Sequence, residues 1–112
     1  MTDTDYTDRL RRIAVNDRLL TAELWGGTGA ESDELDPKTR ALAQLAALVA
    51  VGGPTSSYGA LADAAVNTGA SPAEMVEVLV SVAPLVGLPR SAAAAAALAM
   101  ALGCDIDNGL DS

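Results

Sequence analysis

Ala41-Leu42-Ala43-Gln44-Leu45-Ala46-Ala47-Leu48-Val49-Ala50-Val51-Gly52-Gly53-Pro54-Thr55-Ser56-Ser57-Tyr58 decides the fold, because it is two apolar helical patterns joined by a three-residue break. It belongs to the longest uncharged run of the chain, Ala41 to Ala62. Leu42, Leu45, Leu48, Val49 and Gly52 recur at helical spacing, and Gln44 is the only polar side chain between Ala41 and Val51. Gly-Gly is expected to end the first helix, since glycine reaches the left-handed conformation at helix ends. Pro54 is expected to open the next one. The Thr55, Ser56 and Ser57 hydroxyls then collect with free backbone N–H groups at a helix N-terminus, a polar mouth in an apolar region where a site is expected first.

Downstream, Tyr58, Leu61, Ala62, Ala65 and Val66 share one helical face, with Asp63 and Asn67 opposite and Gly69 as the stop. Ser71-Pro72-Ala73-Glu74 reads as a capping box with proline at the first helical position. It opens a helix of Met75, Val76, Val78, Leu79, Val80 and Val82, interrupted only by Glu77 and Ser81, which the pattern predicts to be buried on most sides. Pro84 is expected to kink or end it. Gly87-Leu88-Pro89 reads as the last turn, and Ser91 to Leu102, with six consecutive alanines, as a final helix closed by Gly103.

Upstream, Asp36-Pro37 supplies a helix cap followed by proline. A first helix is expected from about Asp5, with Tyr6, Leu10, Ile13 and Ala14 on one face and Asp8, Arg9, Arg11 and Arg12 in water. Asn16 or Asp17 caps a second, with Leu19, Leu20, Leu24 and Trp25 turned inward. Gly26-Gly27-Thr28-Gly29-Ala30 reads as a linker, since no strand precedes it and no Gly-Lys-Ser/Thr follows. The expected fold is therefore all-α with about six helices. It divides into a helical arm with its glycine-rich linker (1–34), a helical domain (35–104) and an acidic tail (105–112). The tail is no calcium loop, because Leu110 falls where such a loop needs glycine.

Composition agrees: half of the 112 residues are hydrophobic, yet only three are aromatic and none is Phe, so Ala, Leu and Val must fill the space between closely approaching helices. The net charge of −8 lacks the basic footprint that nucleic acid or an anionic membrane requires. Between Ala41 and Cys104 the only charges are Asp63, Glu74, Glu77 and Arg90. Helices so apolar need cover, and the apolar runs are too short and too often broken by proline to span lipid, so a homo-oligomer is expected. No apolar segment follows the acidic start Met1-Thr2-Asp3-Thr4-Asp5, which predicts a cytoplasmic protein. Cys104 is the only cysteine and lies beside Asp105 and Asp107, which disfavour a thiolate; with no histidine in the chain, neither a metal nor another cofactor is expected.

The ordered set Leu35-Asp36-Pro37-Lys38-Thr39-Arg40, an apolar helix ending in Gly-Gly, and Asn67-Thr68-Gly69-Ala70-Ser71-Pro72-Ala73-Glu74-Met75-Val76-Glu77-Val78-Leu79 resembles the carboxymuconolactone decarboxylase and alkylhydroperoxidase D-like family. Ala83-Pro84-Leu85-Val86-Gly87-Leu88-Pro89 fits the next turn of that family, and the resemblance covers about residues 35–102. It implies helical hairpins that pack across subunits into trimers or hexamers. It also implies cysteines at the positions of Pro54 and Ser57, a histidine at Leu61 and a glutamate near Ala41 or Leu42 in the redox members. The decarboxylase branch keeps the histidine; this chain has none of these groups at those positions, and no histidine anywhere.

Without a thiolate there is no peroxidatic nucleophile, and serine cannot cycle through sulfenic acid and disulfide states. Acid–base work would fall to a carboxylate: Asp63, Glu74 or Glu77. Asp63 reads as solvated, Glu74 as the capping-box partner and Glu77 as an ion-pair partner of Arg90, Arg40 or a neighbouring subunit. The candidate catalytic groups are thus Glu77, Tyr58 and Ser57. The candidate ligand pocket is Leu45, Val49, Ser57, Tyr58 and Leu61, suited to a small apolar or weakly anionic molecule. The expected function is a catalytically degenerate, oligomeric binding or scaffold protein. A cofactor-free decarboxylase or lactone-handling enzyme is the alternative, and a peroxidase fits least.

Overall fold

The computed structural model describes residues 3–15, Arg18 and residues 34–104, and the chain divides into two compact units, Met1–Glu34 and Leu35–Ser112. Among the described residues there are five helices and no strand. In the first unit α1 (Asp3–Ala14) begins two residues before the expected Asp5, with Tyr6, Leu10, Ile13 and Ala14 exposed and an Arg11–Asp8 ion pair at 3.7 Å. The expected second helix with Trp25, the glycine linker and the acidic tail lie outside the described residues.

The second unit holds α2 (Pro37–Val51), α3 (Thr55–Asn67), α4 (Pro72–Val86) and α5 (Leu88–Ala101). Short joints fold α2 with α3 and α4 with α5 into hairpins. α2 packs on both α3 and α4, α5 packs on both α3 and α4, and α2 touches α5 across the bundle. Lys38 near the start of α2 pairs with Glu74 near the start of α4, so these two helices run side by side in the same direction. The core is the stripe Ala41, Leu45 and Val49 of α2 against Tyr58, Ala62 and Ala65 of α3, Met75 of α4, and Ala94 and Leu98 of α5, closed by Ala70. Half of these ten buried side chains are alanine, which lets the helix axes approach closely.

The helix ends follow the local chemistry. Asp36 caps α2 by accepting the Thr39 N–H at 2.7 Å. Gly52, at φ 76°, closes it by returning its N–H to the Leu48 carbonyl at 2.8 Å. Arg90 reinforces that end: its Nη1 donates to the Ala50 carbonyl, where a cation also meets the negative end of the helix dipole. Ser71 and Glu74 complete the capping box of α4, the Glu74 N–H donating to Ser71 Oγ at 3.0 Å and the Ser71 N–H to Glu74 Oε1 at 2.9 Å.

Three expectations are corrected. Pro54 is the residue before α3, not its first helical residue, and gives it no side-chain cap. Of the two outcomes expected at Pro84, the helix does not end there but continues to Val86; so near the C-terminus, the ring costs only one of the last backbone hydrogen bonds. α5 starts at Leu88 rather than Ser91, so the joint is Gly87 alone, at φ 93° and ψ 159°, a conformation open essentially to glycine. Ser91 is instead buried in the first turn, its hydroxyl donating to the Gly87 carbonyl at 2.8 Å. Only Met75 of α4 is fully buried, while Val76 and Val80 are about half exposed, because a single chain has partners for only one side of this helix.

Met75 has no exposed surface, and its unbranched side chain fills the space where α4 meets the rest of the core. Met75→Ala is expected to lower the unfolding free energy by about 3 kcal/mol, read as a reduced urea midpoint at an unchanged slope.

Candidate functional site

The polar mouth at the start of α3 forms only in part. Pro54, Thr55 and Ser56 are exposed, Ser57 and Leu61 are half-buried one turn apart on the same face of α3, and the Ser57 N–H turns back to the Pro54 carbonyl at 3.0 Å. Leu45 and Val49 are each 1% exposed and Tyr58 2%, so the structure gathers these three in the packed core. Burial pushes the Tyr58 phenol above its ordinary pKa, which keeps it protonated. Ser57 and Leu61 are only half-buried.

An open cleft of about 480 Å³ lies instead between α2 and α4, lined by Thr39, Leu42, Ala43 and Ala46 on one wall and by Glu74, Glu77, Val78, Ser81 and Val82 on the other. Its origin is steric: α2 turns its core stripe toward the bundle, and the neighbouring positions Ala43 and Ala46 are too short to reach α4. Of the candidate carboxylates, Glu74 and Glu77 line it and Asp63 does not; of the candidate catalytic groups Glu77, Tyr58 and Ser57, it takes in Glu77. The signal in the sequence was the run of small residues on α2 opposite Glu77 and Ser81, but helices so far apart in the chain can be matched only once they are known to pack in parallel.

The end of the cleft near the two helix starts is electrostatically closed. Glu74 Oε2 meets Lys38 Nζ at 2.8 Å while Oε1 accepts the Ser71 N–H. Its hydrogen bond to Lys38 and then that to the Ser71 backbone hold the Glu74 carboxyl below its ordinary value, and the same pair raises the Lys38 ammonium. Asp36 is likewise held low, first by the Thr39 N–H.

One turn along α4, Glu77 is exposed and makes no ion pair among the described residues; its backbone carbonyl accepts the Ser81 hydroxyl at 2.8 Å. The expected pairing with Arg90 does not form, because Arg90 is engaged at the end of α2. Exposure removes the desolvation cost that would have required a partner. Among the described residues, no group of three or more His, Cys, Asp or Glu side chains is arranged to hold a metal ion. No helix among them is long and apolar enough to cross a membrane.

This all-helical unit, with its capped hairpins and glycine joints, corresponds to a known family. The model of the Carboxymuconolactone decarboxylase family matches residues 17–100, and the chain belongs to that family. The match begins well before Leu35 and so takes in part of the N-terminal unit. No curated protein and no solved structure matches the chain.

The pH dependence of the cleft end follows from these shifts. A carboxyl held below its ordinary value of 4.5 stabilises the fold above that pH and loses its contribution as pH falls through the lower folded value. Lys38, raised above 10.5, contributes fully below that pH and loses its contribution as pH rises through the higher folded value. Glu74→Gln keeps the capping geometry but removes the charge. The urea midpoint of this variant should fall less steeply than that of the wild-type chain between about pH 5 and pH 3, with the residual slope coming partly from Asp36.

Proposed function

We propose that the chain is an oligomeric small-molecule-binding or scaffold member of its family that performs neither the thiol nor the imidazole chemistry which the resemblance implies. One observation carries the reading: the chain has no histidine, and its single cysteine, Cys104, is exposed beyond the end of α5, while Pro54, Ser57 and Leu61 stand where the resemblance implies the reactive groups. A peroxidatic cycle needs a thiolate with an electropositive neighbour and a resolving thiol. The α2–α4 cleft supports the binding part of the reading, its volume falling in the range of small-molecule sites.

Large apolar side chains left in water support the oligomer. Leu85 is 85% exposed and Leu88 80%, on either side of the Gly87 joint, and Val51 and Met100 are each 72% exposed. Covering them favours association into a closed assembly, a trimer or hexamer by family resemblance. A second reading, a cofactor-free decarboxylase or lactone-handling enzyme, has Glu77 in its favour as an unpaired carboxylate in the cleft. Glu77 is exposed and nothing beside it among the described residues is placed to hold a reacting group against it, so binding stands ahead.

Light scattering on a sizing column should give three or six times the 11.3 kDa of one chain, and Leu85→Glu with Leu88→Glu should reduce it; a clean monomer at micromolar concentration would remove the oligomer from the reading. Peroxide consumption with a dithiol reductant should not exceed the uncatalysed rate, and Cys104→Ser should change nothing. Turnover that disappears in Cys104→Ser would restore the peroxidase.

A further inference from the structure

We propose that the α4–α5 corner of one copy, Pro84 to Leu88, seats in the cleft between α2 and α4 of a second copy. The inference rests on the oligomer part of the reading above, gives that oligomer its contact surface, and assigns the cleft to a neighbouring chain in the scaffold form of that reading.

The corner is a projecting knob. Its joint is the single residue Gly87, at φ 93°, and a side chain there would meet nothing within 4 Å among the described residues, so the corner stands clear of its own chain. Leu85 and Leu88 flank that joint and are the two most exposed of the large apolar side chains described. No charge occurs from Val78 to Pro89, so the corner can leave water without stranding one. Pro84 and Pro89 fix the backbone on either side, so docking orders little that was free.

The cleft is the matching hollow. Its walls are nearly all hydrocarbon, and Ala43 and Ala46 leave about 480 Å³, room for more than one side chain. A small-molecule site encloses most of its ligand and orients it with a few placed polar groups. This cleft lies open to solvent and offers almost no polar surface, so a small ligand would keep one side in water and find nothing to fix its orientation. A protein knob brings its own cover, because the helices behind Leu85 and Leu88 close the open side. The corner cannot enter the cleft of its own chain, since α4 is one of the cleft walls. A second copy supplies the knob at the same concentration as the hollow. Knob and hollow are different surfaces, so each copy gives one and receives one, an arrangement that closes when the rotation between copies completes a ring.

The experiment uses the full chain with Cys104→Ser. One chain carries Ala43→Cys in the cleft wall and another carries Leu88→Cys on the corner. Co-expressed and oxidised, they should give a disulfide-linked pair of the two different chains, identified by mass, about fivefold or more above the linked pairs that either chain forms alone. Ala43→Glu puts a charge in the cleft at an exposed position and should raise the dissociation constant of the assembly about tenfold or more, read by light scattering on a sizing column. Ala47→Glu, exposed on α2 outside the cleft, should change it less than about twofold, the scatter of ordinary surface substitutions. An intact wild-type assembly with no mixed cross-link, or with equal losses in the two glutamate variants, would overturn the docking and leave the oligomer standing. A monomeric wild-type chain would remove both. Octanol bound by the intact assembly, and lost in Ala43→Trp, would give the cleft to a small molecule and overturn the proposal.

Discussion

The burial of one narrow stripe of α2 organises the second unit. Ala41, Leu45 and Val49 recur every four residues, and none is more than 5% exposed, so this face is covered by the neighbouring helices along its length. Because the stripe is narrow and begins with alanine, the helices can approach closely enough for Ala62, Ala65 and Ala94 to serve as core residues. The same geometry produces the cleft. Turning this stripe inward leaves Leu42, Ala43 and Ala46 on the adjacent face, where two of the three are too short to meet α4.

Three of the few charges in this unit carry two structural tasks. Glu74 caps its own helix and ties α4 to the start of α2 through Lys38. Arg90 terminates α2 from the first turn of α5, so a helix end made early in the chain is completed by a side chain forty residues later. Glu77 has neither task. A charged group with no structural work among the described residues, set in an apolar wall, is the natural starting point for a functional reading of the fold.

Family membership in this chain rests on the match over residues 17–100, while the reactive positions are read from resemblance. The helix starts, glycine stops and small apolar residues within the matched span act on packing and backbone conformation. The reactive groups implied by the resemblance sit at the first turns of α3 and on α2, where the helix asks only for a side chain that tolerates its position. Pro54, Ser57 and Leu61 meet that demand.

The sequence by itself determined the helices and most of their ends: the Asp36-Pro37 start, the capping box at Ser71, and the stops at Gly52, Gly69 and Gly103 are local hydrogen-bond and torsional effects carried by adjacent residues. It also determined that the chain has no histidine and a single cysteine, which is a matter of composition. Tertiary structure decided which helices meet. It sent Leu45, Val49 and Tyr58 into the core, engaged Arg90 at the end of α2 instead of at Glu77, and brought Glu77 opposite Ala43 and Ala46. Those outcomes depend on the parallel pairing of α2 with α4, a long-range contact that no local pattern encodes.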